Sequence, residues 1–172
     1  AMLSRHLQRE HNLQHAFPQV EFLDLEPTST VDDTFLAARL LREAGAAAII
    51  VLGGDGTHRA VVRELIAGAD SSTAIPIAGL STGTNNAFPE LRESSVVGLA
   101  VGLYATGRLS AEQALAPNKL LDVSIQSGDG IRRDIALVDA AISTDRYIGA
   151  RALWKPEGLH SVFLTFAEPH AI

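Results

Sequence analysis

Four apolar residues running into a glycine-bracketed aspartate, Ile49-Ile50-Val51-Leu52-Gly53-Gly54-Asp55-Gly56-Thr57, constrain this chain more than any other stretch. The apolar run has the composition of a strand buried in a sheet. Residues 58–67 then put Val61, Val62, Leu65 and Ile66 on one helical face, and Gly68 is suited to end that helix. The order is strand, tight glycine turn, helix, which predicts an α/β fold with a parallel sheet. In such sheets ligands bind at the carboxyl ends of strands. Glycines there let backbone N–H groups approach a phosphate, and the helix N-terminus adds the positive end of its dipole. Asp55 has the chemistry to bind a metal ion or to take a proton from an attacking hydroxyl. Gly-Asp-Gly is also an ordinary turn, and Asp an ordinary helix cap, so a second signal is needed.

That signal comes thirty residues on. The short apolar run Ile75-Pro76-Ile77-Ala78-Gly79-Leu80 predicts a strand, with Pro76 near its start or on an edge. It leads into Ser81-Thr82-Gly83-Thr84-Asn85-Asn86, whose hydroxyls and carboxamides suit ribose hydroxyls or phosphate oxygens. Such residues fill ordinary loops too. Two polar turns at consecutive strand ends, however, lie side by side on one rim of a parallel sheet.

The rest of the chain extends this pattern. Residues 2–16 read as a polar helix in which His11 and His15 share a face, with Leu3, Leu7, Leu13 and Phe17 on its buried side. No acidic residue completes a metal site there, and the solvated reading is preferred. Residues 20–25 alternate as a strand ended by Pro27. Thr30-Val31-Asp32-Asp33 has the form of a capping box, before a helix ended by Gly45. Between residues 94 and 104, Val96, Leu99, Ala100, Leu103 and Tyr104 line a predicted helix face. After Pro117 the character changes. Residues 119–126 and 131–142 read as strands joined by the hairpin signal Ser127-Gly128-Asp129-Gly130, and Asp139 interrupts the second, apolar one. Two regions are expected: an α/β nucleotide-binding domain over 2–116 and an incomplete β-rich domain over 117–172. Tyr147, Trp154, Phe163 and Phe166 gather most of the aromatics in its last part.

Composition narrows the function. The net charge of −6 and the lack of a basic stripe argue against nucleic acid or an anionic membrane as partner. With no cysteine, disulfides, thiolate zinc sites and a cysteine nucleophile are excluded. No transmembrane run or signal peptide is visible, so a cytoplasmic protein is the expectation, and Ala1 before Met2 reads as a tag remnant.

With both turns and the hairpin in view, the chain resembles the ATP–NAD kinase superfamily. That group includes diacylglycerol and sphingosine kinases and is distantly similar to phosphofructokinases. The carrying residues are Gly53-Gly54-Asp55-Gly56-Thr57 and Gly83-Thr84-Asn85-Asn86. Within the superfamily, GGDGTHRAV, STGTNNAFPE and residues 147–154 look most like the acetoin-catabolism X proteins. The resemblance implies a Rossmann-like parallel sheet followed by part of an antiparallel β domain. It implies ATP-dependent phosphorylation of a hydroxyl, with Mg²⁺ and with NAD as a possible substrate, its ribose 2′-hydroxyl being the acceptor. It gives Asp55 the role of base. It sets Gly53, Gly54, Gly56 and Thr57 around phosphates, and Thr82, Gly83, Thr84, Asn85 and Asn86 around substrate or metal. No protein metal ligand is assigned. Residues 136–142 match a β-domain strand near the family's substrate; Asp139 keeps its acid, but Val138 replaces its carboxamide, which puts NAD itself in question.

The family's opening strand, its Asn-Pro-x-Ser-Gly-like turn and its later Thr-rich segment are not in this sequence, so the chain is expected to be a central piece of a longer protein. A homo-oligomer is expected, because a missing first strand leaves a sheet edge to cover. Two alternatives stand beside the NAD-kinase-like phosphotransferase. One is a non-catalytic nucleotide-binding or regulatory module; the other is a kinase of a lipid or sugar hydroxyl.

Overall fold

The computed structural model describes residues 20–67, 74–82, 86–88, 93–143 and 159–164. Several expectations lie outside the described residues: the N-terminal helix with its histidines, the helix stop at Gly68, the loop residues Gly83, Thr84 and Asn85, and the aromatics Tyr147, Trp154 and Phe166.

Helix α1 spans Val31–Glu43. The Thr30 hydroxyl accepts the Asp32 N–H at 3.2 Å. Asp33 reaches back past Thr30 and accepts the N–H groups of Thr28 at 2.9 Å and Ser29 at 2.8 Å, and the Thr28 hydroxyl at 2.6 Å. These bonds, the Thr28 hydroxyl foremost, hold the Asp33 carboxyl below the usual carboxylate range. The helix stops where Gly45 takes φ +74°: its N–H bonds Arg42 O, and the Ala46 N–H bonds Leu41 O, both at 3.0 Å. This double closure needs a left-handed residue, for which glycine is the least strained choice.

Strand β1 (Ile49–Gly53), helix α2 (Asp55–Ile66) and strand β2 (Ile77–Ser81) form a β-α-β unit. The strands are parallel, in register from Ile49↔Ile77 to Gly53↔Ser81. Ile49 and Val51 point to one side, where Ala38 of α1 and Val61 and Leu65 of α2 close a core. Helix α3 (Ser94–Ala105) and the single turn α4 (Ala111–Ala114) follow. Strands β3 (Leu121–Ser127) and β4 (Gly130–Ala136) form an antiparallel hairpin through the expected turn, and β5 (Asp139–Ser143) pairs antiparallel with β6 (Leu159–Leu164). The fold is α/β, with a helix-packed parallel sheet followed by antiparallel strands. Among the described residues no helix is long and apolar enough to cross a membrane.

The structure corrects five expectations. Residues 20–25 form no strand and pair with none of the described strands; alternation marks a strand only where a neighbour supplies the ladder. Helix α2 begins at Asp55 rather than 58, so Asp55, Gly56 and Thr57 are its first turn. Strand β1 is buried on one face only, with Ile50 40% and Leu52 60% exposed. In α3 the buried residue is Val97, whereas Val96 and Leu99 are each 65% exposed. That helix is apolar almost all round, so periodicity selects no face. The apolar run 131–142 is two strands, broken by a bend at Leu137 and Val138.

Helix α2 is also tied to the hairpin. Arg59 Nη1 donates to Asp134 Oδ1 at 2.7 Å and to the Ile135 carbonyl at 3.4 Å, and Arg63 approaches Asp134 at 3.9 Å. Burial is the largest single influence on Asp134 and raises its pKa. The Ile135 N–H and the two guanidinium groups together outweigh it and hold the carboxyl below its usual range. The depressed value means the pair stabilises the fold above the unfolded Asp pKa, about 3.9, and is lost as pH falls through the lower folded value. Both side chains are about two-fifths exposed, at 40% and 39%. A double-mutant cycle on Arg59→Ala and Asp134→Ala should therefore give a coupling of roughly 0.2–1 kcal/mol at pH 7. The coupling should shrink in 1 M salt and vanish in acid. A coupling unchanged at pH 2 would contradict this assignment.

Candidate functional site

The parallel register puts Gly53 beside Ser81, so the two polar turns leave the sheet at the same rim. The Thr82 N–H donates to Gly53 O at 3.3 Å and continues the ladder into the second turn. The two glycines before Asp55 allow close approach. A Cβ on Gly53 would lie 2.6 Å from Thr57 Cβ, and one on Gly54 would lie 2.8 Å from Asn86 Oδ1. Any other residue at either position forces its neighbour to move.

Asp55 and Asn86 lock the turns to each other. The Asp55 N–H donates to Asn86 Oδ1 at 3.4 Å, and Asn86 Nδ2 donates to Ser81 Oγ at 2.7 Å. In return the Asp55 carboxylate accepts the Ala87 N–H, at 3.0 Å on Oδ2 and 3.2 Å on Oδ1, and the Phe88 N–H at 3.0 Å on Oδ1. A carboxylate has about four lone-pair directions. Among the described residues two N–H groups occupy part of that capacity.

Gly56 differs from its neighbours. It is exposed, its φ lies outside the left-handed region, and among the described residues nothing lies within 4 Å of where a Cβ would stand. Neither backbone conformation nor packing asks for glycine there. The first-turn N–H groups at this end of α2 have no carbonyl one turn back within the helix. The Asp55 N–H is taken by Asn86 Oδ1, and the N–H groups that follow it in this first turn are suited to an anion.

Of the residues singled out in the sequence, Gly53, Gly54, Asp55, Gly56, Thr57, Thr82 and Asn86 therefore gather at one rim. Gly83, Thr84 and Asn85 lie outside the described residues. Asp139 is exposed at the first position of β5, and no hydrogen bond or ion pair joins it to this cluster among the described residues. Among those residues no group of three or more His, Asp or Glu side chains is placed to hold a metal ion.

Sequence reasoning missed His58 and Phe88. His58 is fully buried, and its Nδ1 lies 2.8 Å from Gly54 O. Its ring meets Phe88 at 5.7 Å between centroids, tilted 53°. The signal was present: His58 stands three and seven residues before Val61 and Leu65, on the face that packs on the sheet.

Residues 3–108 match the ATP-NAD kinase N-terminal domain family, and residues 119–172 match the acetoin catabolism protein X C-terminal domain family. The chain is 59% identical over 172 residues to a protein of Cupriavidus necator named acetoin catabolism protein X. The match takes in 99% of this chain and 46% of that relative, so the chain spans about half the relative's length. No solved structure matches the chain.

Proposed function

The chain belongs to the ATP–NAD kinase family, and from that premise we propose that it carries the nucleotide turn of an ATP-dependent phosphotransferase acting on a hydroxyl. The acceptor in this reading is the ribose 2′-hydroxyl of NAD or a related alcohol. The observation that carries the proposal is the pairing of Asp55 with the start of α2 at Gly56, which no described residue crowds, on a rim shared by two strand ends.

Phosphoryl transfer asks a protein mainly to position its reactants and to neutralise charge. Gly56 and the α2 N-terminus fit a phosphate, since no described residue lies within 4 Å of where a Gly56 Cβ would stand. Asp55 keeps lone-pair capacity for the acceptor's proton, as a general base must. Mg²⁺ would supply charge neutralisation on the phosphates. It commonly binds through phosphate oxygens, waters and only one or two carboxylates, so it does not demand a protein-built cage. A small-molecule nucleotide is thus the proposed partner, and a role in acetoin catabolism rests on the relative's name.

One observation favours the non-catalytic alternative. The Asp55 carboxylate already accepts two backbone N–H groups and serves as a lock between loops. Calorimetry with ATP, ADP and NAD in Mg²⁺, combined with an NADP-formation assay, separates the readings. Binding with NADP formation supports the kinase. Binding without turnover supports the regulatory module. No binding of any nucleotide overturns both.

A further inference from the structure

His58 is the one buried polar residue among those described, with a relative exposure of 0%. Its backbone N–H donates to Gly54 O at 3.1 Å, as the first hydrogen bond of α2. Its Nδ1 reaches the same carbonyl at 2.8 Å. A carbonyl only accepts, so Nδ1 carries the ring proton of the neutral imidazole. Nε2 is then a lone pair, and it is buried with no partner among the described residues. Stranding such an atom is unfavourable. A leucine would fill the space without that cost, and Gly54 O is already satisfied by the backbone. The ring bond is therefore a second bond to one carbonyl, and its effect is to hold that carbonyl's direction.

The other side of the ring faces the second loop. Phe88 packs against His58, and the Phe88 N–H is one of the donors on Asp55. We propose that His58 is a positioning residue for Asp55. Through Nδ1–H it fixes the Gly54 carbonyl, and so the backbone from which Asp55 projects. Through its ring face it seats Phe88, and so an amide that orients the Asp55 carboxylate. It touches no ligand, since it is sealed from solvent.

The test uses the 172-residue chain with His58→Leu, His58→Asn and His58→Gln. Asn places its N–H₂ near the position of Nδ1, whereas Gln reaches toward that of Nε2. The first readout needs no ligand. Amide exchange at Ala87 and Phe88 should quicken roughly tenfold or more in the Leu variant and return toward the parent rate in the Asn variant alone. Nitrogen NMR of the parent should show the Nδ1-protonated tautomer. The second readout rests on the phosphotransferase reading: turnover should fall in the Leu and Gln variants and recover in the Asn variant. An Nε2-protonated ring, or equal exchange in all three variants and the parent, overturns the proposal. If His58→Leu fails to fold, the Asn-against-Gln difference decides. Loss of the exchange pattern refutes the role of His58, whereas an intact pattern without turnover in the parent refutes the kinase reading instead.

Discussion

Asp55→Asn is expected to lower phosphotransfer by about 10²–10⁴-fold while the protein stays folded. The carboxamide cannot accept the acceptor's proton, which accounts for the loss. The fold survives because the amide oxygen can take over the Oδ1 contacts to Phe88 N–H at 3.0 Å and Ala87 N–H at 3.2 Å. The Oδ2 contact to Ala87 N–H at 3.0 Å is lost, at a cost of about 1 kcal/mol. Steady-state turnover, thermal melting and ADP affinity measured on one sample separate the effects. A fall in turnover with ADP affinity retained assigns Asp55 to the chemical step. Parent-like turnover would leave Asp55 as a lock between the loops and remove it from the mechanism.

The second large effect lies in a contrast between two glycines three residues apart. Gly53→Ala puts a methyl 2.6 Å from Thr57 Cβ and 2.7 Å from its Oγ1, so β1 and the first turn of α2 must separate. Overpacking of this kind costs about 1–3 kcal/mol and should lower the melting temperature. Gly56→Ala meets nothing within 4 Å among the described residues. In a helix alanine is better than glycine by up to about 1 kcal/mol, so this variant should melt at the parent temperature or above. Its methyl occupies the approach to the helix start, and ADP affinity should fall roughly tenfold or more, about 1.4 kcal/mol. If Gly56→Ala binds ADP as the parent does, the phosphate does not sit over Gly56.

The first glycine turn was legible because it is a short-range pattern. An apolar run that ends in Gly-Gly-Asp-Gly-Thr needs no distant partner to be read as strand, turn and helix start. The same holds for the hairpin at residues 127–130 and for the stop of α1 at Gly45, where local dihedral preference decides. Position 58 was harder. A histidine beside a glycine turn reads as polar and solvated, and its burial follows only when α2 is laid on β1 with Phe88 above it. The Arg59–Asp134 pair spans 75 residues, and no local spacing announces it.

The sequence alone determined the α/β class and a helix after the glycine turn, and it singled out Asp55 as the candidate group with chemistry to offer. These follow from side-chain period, glycine placement and functional-group type, all properties of neighbours in the chain. Only the tertiary structure decided how those groups are used. It showed residues 20–25 without a ladder, β1 covered on one face, α3 buried at Val97, and the Asp55 carboxylate seated on the amides of a loop thirty residues away. The physical reason is common to all four. Burial and hydrogen-bond partnership depend on what the rest of the chain brings alongside, and a hydrophobic pattern names candidates for contact without naming their partners.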